Sequence, residues 1–125
     1  MSTEGSVVVE LTNDPRSAGV ARRRLRNLLG DHPRIDDVLL CTSEVVTNAV
    51  VHAGTLSHIT VDCDDDLVRV EVVDGSPQAL PEARDPAPSS PSGRGMRLVD
   101  ALADRWGVQV DRSQKSVWFE FDAPA

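Results

Sequence analysis

The chain has 125 residues, 40% of them hydrophobic, and a formal net charge of −7. Its length suits one domain with one hydrophobic core. The acidic balance disfavours direct binding to nucleic acid, because Lys and Arg supply most of the affinity for phosphate backbones. No apolar run is long enough to span a membrane, and Met1 to Ser6 carries no signal sequence, so we expect a cytoplasmic protein without a membrane partner.

The first half of the chain predicts one strand and two helices. Val7 to Leu11 is a β-branched run that ends at an Asx-Pro helix start. Apolar residues then recur at helical spacing from Arg16 to Leu29, and again from about Ile35 to Val51. Because Cys41 and Cys63 both fall within apolar patterns, we expect two buried, reduced thiols rather than a disulfide.

The second half predicts a hairpin, a long loop, a short helix and two more strands. His58 to Cys63 and Leu67 to Val73 alternate apolar and polar residues around an acidic turn, which is typical of an antiparallel hairpin with one buried face. Gly75 to Gly93 contains five of the eight prolines and predicts a loop of the kind that often covers a binding site. The remaining elements are a helix from Gly95 to Leu102 and strands from Trp106 to Val110 and from Val117 to Phe121.

This order of elements predicts an α/β two-layer sandwich. The helices are expected on one face of a mixed, mostly antiparallel sheet. No internal repeat is visible, and we expect a single domain over residues 1–125 with a flexible lid loop at about 75–93.

Glu44 and Asn48 lie one turn apart on the second predicted helix. At about 100° per residue they form a stripe with His52 beside the buried face. A carboxylate and a carboxamide at this spacing can share a hard cation such as Mg²⁺, or can place a metal ligand beside a general base. A solvated helix edge explains the same spacing, so the pattern alone leaves both interpretations open.

Two further features stand at loop boundaries. Asp74 ends the second strand of the hairpin, where its carboxylate can accept a hydrogen bond from a ligand, although Asp-Gly is also a common turn. Ser92 to Gly95 leads into the third helix, whose free backbone N–H groups and positive dipole end can hold phosphate. Glycines at a helix entry are also ordinary after a loop, and no Gly-Lys-Ser/Thr follows, which excludes a Walker P-loop.

Together these segments closely resemble the motifs of one known superfamily. The runs Ser43 to Gly54, Val72 to Gly75 and Ser92 to Asp100 resemble the N, G1 and G2 boxes of the GHKL ATPases, which have the Bergerat ATP-binding fold. Within that superfamily the chain looks like the small anti-sigma-factor serine/threonine kinases of actinobacteria, whose usual C-terminal half Ala101 to Val108 and Lys115 to Glu120 also match. The resemblance covers nearly the whole chain.

The resemblance implies ATP and Mg²⁺ as cofactors and a role for each matched residue. Asn48 would hold Mg²⁺, and Glu44 would be the catalytic base that activates the attacking hydroxyl. Asp74 would bind the amino group of the adenine.

The remaining matched residues would contact the phosphates and the base. Gly93 and Gly95 would approach the phosphates, with Arg94 or Arg97 as a further phosphate contact. Ser116 stands where the family often has a Thr near the adenine. In one departure, the family's G1 pattern Asp-x-Gly-x-Gly reads Asp-Gly-Ser-Pro-Gln over residues 74–78, so both expected glycines are replaced.

Two functions follow from the resemblance. The first is an anti-sigma-type serine/threonine kinase that phosphorylates a small anti-sigma antagonist protein and binds a sigma factor, with a homodimer also expected. The second, motivated by the altered G1 box, is a non-catalytic ATP-binding module that regulates a partner by binding. The catalytic domain of a histidine kinase fits less well, because no phospho-accepting helix precedes Val7.

Overall fold

A computed structural model of the chain describes residues 5–12, 14–53, 56–74, 91–110 and 114–123. In chain order the elements are β1 (Gly5–Glu10), α1 (Ser17–Leu29), α2 (Ile35–Asn48), a π-helical turn (Ala49–Ala53), β2 (Leu56–Cys63), β3 (Leu67–Asp74), α3 (Pro91–Leu102), β4 (Arg105–Val110) and β5 (Lys115–Asp122). None of the described helices is long and apolar enough to cross a membrane.

The five described strands form one sheet in the order β1-β2-β3-β5-β4. All four pairings between neighbours are antiparallel, where the sequence predicted a mixed, mostly antiparallel sheet. The predicted two-layer sandwich is otherwise confirmed. Strand β3 is central, so its last residue, Asp74, has a neighbouring strand on either side.

The core lies between the sheet and the helix layer, in which α2 packs against both α1 and α3. Alternate residues of the central strand, Val68, Val70 and Val72, are fully or almost fully buried. Phe119 and Phe121 of β5 join them with their rings 5.9 Å apart in an edge-to-face arrangement. Burial of each such side chain contributes roughly 1.5–3 kcal/mol, so these residues fix which face of the sheet the helices cover.

Arg34 ties the start of α2 to the end of α3. Its guanidinium donates hydrogen bonds to the carboxylate of Asp104 at 2.7 Å and to the carbonyl oxygen of Leu102 at 3.2 Å. It also lies 4.7 Å from the ring centroid of Phe121. Because cations at a helix C-terminus interact favourably with the helix dipole, this contact stabilises the end of α3 and orients it across the sheet.

Two element boundaries differ from those predicted by three or more residues, and the others differ by at most two. The second helix keeps α-helical geometry only to Asn48 and then widens into the π-helical turn, whereas a continuous helix to Val51 was expected. The third helix begins at Pro91 rather than at Gly95. Proline is favoured at the first helical position, because its missing N–H would have no partner there and its φ suits the helix.

The predicted loop over Gly75 to Gly93 is only partly covered by the structure. Residues 75–90 lie outside the described residues, and residues 91–93 belong to α3. The predicted burial of both thiols is confirmed, since Cys41 and Cys63 are buried and form no disulfide.

Candidate functional site

Asp74 is a buried carboxylate at the end of the central strand. The residue is 2% exposed, and its Oδ2 lies 3.4 Å from Nζ of Lys115, which is also buried. The β3–β5 register places the two residues directly opposite each other. A buried charge is strongly unfavourable unless it is paired, so the lysine allows the carboxylate to remain at this position.

Lys115 was missed by the sequence analysis, although the alternation of β5 contains the signal. Val117, Phe119 and Phe121 are buried and point toward the helices. Since side chains on a strand alternate between faces, Lys115, two residues before Val117, points to the same side. The position was overlooked because a lysine beside a polar turn is ordinarily a solvated residue.

Ser116 lies on the other face of the sheet. Its partner in the β3–β5 register is Val73 rather than Asp74. It lines a shallow pocket on the open face together with Glu71 and Gln109. The register therefore places Ser116 and Asp74 on opposite faces of the sheet, and the predicted place of Ser116 near the adenine stays a prediction.

Glu44 and Asn48 both lie on α2 and are half-buried, at the border of the core-facing side. The helix ends at Asn48, and the N–H of the next residue, Ala49, donates to the carbonyl oxygens of both Val45 and Val46. The π-helical turn that follows contacts β2 and β3. The end of α2 is therefore held against the strand that carries Asp74.

The π-helical turn also changes the predicted helical stripe. The stripe was extended to His52 at the α-helical angle per residue, but α-helical geometry stops at Asn48. The side chain of His52 lies outside the described ones. A short π-helical segment within a longer helix is frequently found at functional sites, so its position beside Asn48 is consistent with one.

The charge of Glu44 acts on a neighbouring buried thiol. The pKa of Cys41 is raised to about 12, first by burial and then by the negative charges of Asp37 and Glu44. The thiol therefore stays protonated at neutral pH and is not a nucleophile there.

The predicted phosphate contacts, including Arg97, lie in the first two turns of α3. With a helix start at Pro91, Gly93 is in the first turn, where backbone N–H groups have no partner within the helix. Gly95 is far enough along for its N–H to reach the carbonyl oxygen of Pro91. The side chain of Arg94 lies outside the described ones. The N–H donors of α3 that lack a partner within the helix are therefore at Ser92 and Gly93 rather than at Gly95.

Two comparisons with known proteins give matches, and a third gives none. The family model of the histidine kinase-like ATPase domain matches residues 11–121. The chain is also similar to a crystal structure of the RsbU and RsbW domains of Rv1364c from Mycobacterium tuberculosis, with a TM-score of 0.70 and 20% identity. That match covers 97% of this chain and 34% of the other, so this chain spans about a third of that chain's length. No curated protein matches the sequence.

Proposed function

Because this chain belongs to the family of histidine kinase-like ATPase domains, we propose that it binds ATP with Mg²⁺ and phosphorylates a serine or threonine of a small partner protein. The observation that carries the proposal is the carboxylate of Asp74, buried to 2% exposure at the end of the central strand. The helix with Glu44 and Asn48 ends against the same strand. We take the whole chain as one domain built around this site.

The described residues fit the chemical requirements of Mg-ATP. The amino group of adenine needs an acceptor, which Asp74 provides, and phosphate oxygens need donors, which the first turn of α3 provides. No group of three or more His, Cys, Asp or Glu that could hold a metal ion occurs in the described part of the chain. Mg²⁺ commonly uses one or two protein oxygens together with phosphates and water, so the carboxamide of Asn48 is a sufficient protein ligand.

Each residue of the site has a separate task in this proposal. Asp74 orients the base, and Asn48 holds the metal by its carboxamide oxygen. When bound, ATP supplies the phosphoryl group, and Mg²⁺ supplies the positive charge that stabilises its transfer. Glu44 accepts the proton of the attacking hydroxyl, whose oxygen forms the new bond to phosphorus as the bond to the leaving ADP breaks.

We propose an anti-sigma-type pair of partners, namely a small antagonist protein as the substrate and a sigma factor as the bound target. The match to a structure that contains an RsbW domain supports this choice, together with the sequence motifs. A homodimer and a cytoplasmic location belong to the same proposal. With a net charge of −7, the chain is suited to protein partners rather than to nucleic acid.

A second function is an ATP-binding regulatory module that does not transfer phosphate. It is favoured by residues 74–78, Asp-Gly-Ser-Pro-Gln, where two glycines of the family pattern are replaced. Proline fixes its own φ and removes a backbone donor, so the segment after Asp74 loses conformational freedom. Binding could persist under this change while the geometry needed for transfer is lost.

Two measurements on the same preparation separate these functions. Calorimetry gives the affinity for Mg-ATP, and incubation with γ-labelled ATP and small antagonist proteins encoded near this gene gives phosphate transfer. The kinase predicts binding and labelling of a serine or threonine in one antagonist. Binding without labelling of any antagonist supports the regulatory module, and absence of ATP binding contradicts both.

A further inference from the structure

Lys115 is the only lysine of the chain, and the other basic residues apart from histidine are all arginines. Its side chain is 6% exposed, beside the 3% exposed carboxylate of Asp74. A buried ion pair is a weak stabiliser, because removing two charges from water offsets much of their attraction. Hydrophobic side chains of similar size would hold this position at least as well, so stability alone does not explain the pair.

The two side chains are arranged as a donor beside an acceptor. Their residues face each other across the β3–β5 pairing, and the 3.4 Å between Nζ and Oδ2 exceeds the roughly 2.7–2.9 Å of a tight charge-assisted hydrogen bond. An ammonium has three N–H donors, and a carboxylate can accept several hydrogen bonds. A third group can therefore contact both side chains at once if it presents an acceptor next to a donor.

Adenine presents this pattern, with its amino group adjoined by a ring nitrogen on either edge. We infer that Lys115 is the second base-recognising residue of the nucleotide site. Its ammonium donates a hydrogen bond to the ring nitrogen beside the adenine amino group, and that amino group donates to Asp74. The inference rests on the proposed function, since it requires that ATP binds at Asp74. It assigns to Lys115 the place near the base that the sequence analysis gave to Ser116.

In the pose inferred for adenine, the same two side chains do not match guanine. Guanine has a carbonyl oxygen where adenine has its amino group. In the same pose that oxygen would face the carboxylate of Asp74, and buried polar groups would be left without partners. Sites that read hydrogen bonds in this way discriminate strongly against ligands that cannot make them.

The test compares ATP with 1-deaza-ATP and 7-deaza-ATP, each of which lacks one of the two ring nitrogens. We expect one of the two analogues to bind the wild type about tenfold to a hundredfold more weakly than ATP, which also identifies the edge that is read. In Lys115→Met the ratio of the affinity for ATP to the affinity for that analogue should fall close to one. Arg24→Met, which removes an exposed cation from α1, is the matched control and should keep the wild-type ratio.

A second measurement needs no variant. Because the chain has one lysine, protein labelled with ¹³C-lysine gives a single Cε resonance, which should shift on saturation with ATP and shift differently with the weaker analogue. An unmoved resonance would overturn the inference even if Lys115→Met does not fold.

The outcomes separate the inference from the proposed function. If the wild type binds ATP but the ratio is the same in Lys115→Met, the lysine only supports Asp74, and the inference alone is wrong. If both analogues bind the wild type as tightly as ATP does, the inference is wrong without reference to any variant. If the wild type does not bind ATP, the proposed function fails and the inference fails with it.

Discussion

The ring of Trp118 occupies the space that a β-carbon at Gly107 would need. The two residues are paired across β4 and β5, and a Cβ at Gly107 would lie 2.8 Å from Cζ2 of the indole. The guanidinium of Arg69 lies 4.4 Å from the centroid of the same ring. We therefore expect Gly107→Ala to lower the free energy of unfolding by about 1–3 kcal/mol, the usual cost of overpacking, as measured by urea denaturation.

The matched control is Gly19→Ala on α1. A Cβ there would meet the flexible ends of Arg22 at 3.7 Å and Arg23 at 4.0 Å, which are ordinary contacts. Alanine is the better helix former, so this variant should be unchanged or more stable by up to about 1 kcal/mol. Equal effects of the two substitutions would show that the Trp118 contact does not restrict position 107.

Breaking the Asp74–Lys115 pair should affect folding as well as ligand binding. Either Asp74→Leu or Lys115→Met removes the ion-pair partner of a buried charge, which is expected to lower the free energy of unfolding by up to roughly 3–5 kcal/mol. The double variant removes both charges and should recover that loss, because hydrophobic side chains then replace the pair. ATP affinity, measured by calorimetry, should stay low in every variant that lacks the carboxylate. Additive destabilisation in the double variant would indicate that the two side chains do not interact.

Substitutions on α2 should separate binding from chemistry. Glu44→Gln keeps the size of the side chain but removes the proton acceptor, so phosphate transfer should fall roughly 10²–10⁴-fold with ATP affinity nearly unchanged. Asn48→Ala should lose both ATP binding and phosphate transfer, because it removes the proposed metal ligand. Thr47→Ala, between them on the exposed side, is the control. A Glu44→Gln variant with full transfer activity would exclude Glu44 as the base.

The ion pairs of Glu120 should make the stability of the fold depend on pH. Its carboxylate accepts hydrogen bonds from Arg105 at 2.7 Å and from Arg69 at 2.8 Å, and these lower its pKa below the ordinary value of 4.5, with Arg105 as the larger cause. The lowered pKa stabilises the folded state at pH values above the ordinary pKa. This stabilisation is lost as the pH falls through the pKa of the folded state.

The comparison of wild type with Glu120→Gln tests this dependence. At pH 7 the variant should be less stable by about 1 kcal/mol, as is usual for partly exposed ion pairs. The difference should shrink steadily as the pH is lowered below 4.5. Urea denaturation between pH 7 and pH 3 measures it, and a difference that does not change with pH would contradict the assigned ion pairs.

The sequence predicted those elements whose side chains follow a regular period. The apolar residues of α1 and the alternation of β3 reflect burial on one side, so both elements were found with small errors at their ends. The change of helical type after Asn48 has no such signal, because it depends on how the chain packs against β2 and β3. The start of α3 at Pro91 was available from proline's preference for a first turn, but the proline-rich composition before it favoured a loop.

Some residues of the candidate site could be predicted from the sequence, and others could not. Glu44, Asn48 and Asp74 were predicted because a motif and a helical spacing marked them, and their roles stay predictions. Lys115 depends on the register of β3 with β5, a non-local pairing that no short segment of sequence encodes. A shift by one position separates Lys115 from Ser116, and that shift moves a side chain to the other face of the sheet.

The two buried cysteines give the protein built-in probes of its own opening motions. Thiol reagents attack the thiolate, and burial raises the pKa of both thiols, so labelling must proceed through conformations in which a cysteine becomes accessible. Cys41 lies on the same helix as Glu44 and Asn48, whereas Cys63 lies at the end of β2. The labelling rate at each cysteine therefore reports the local opening of a different layer, and adding nucleotide would reveal which layer it makes more rigid.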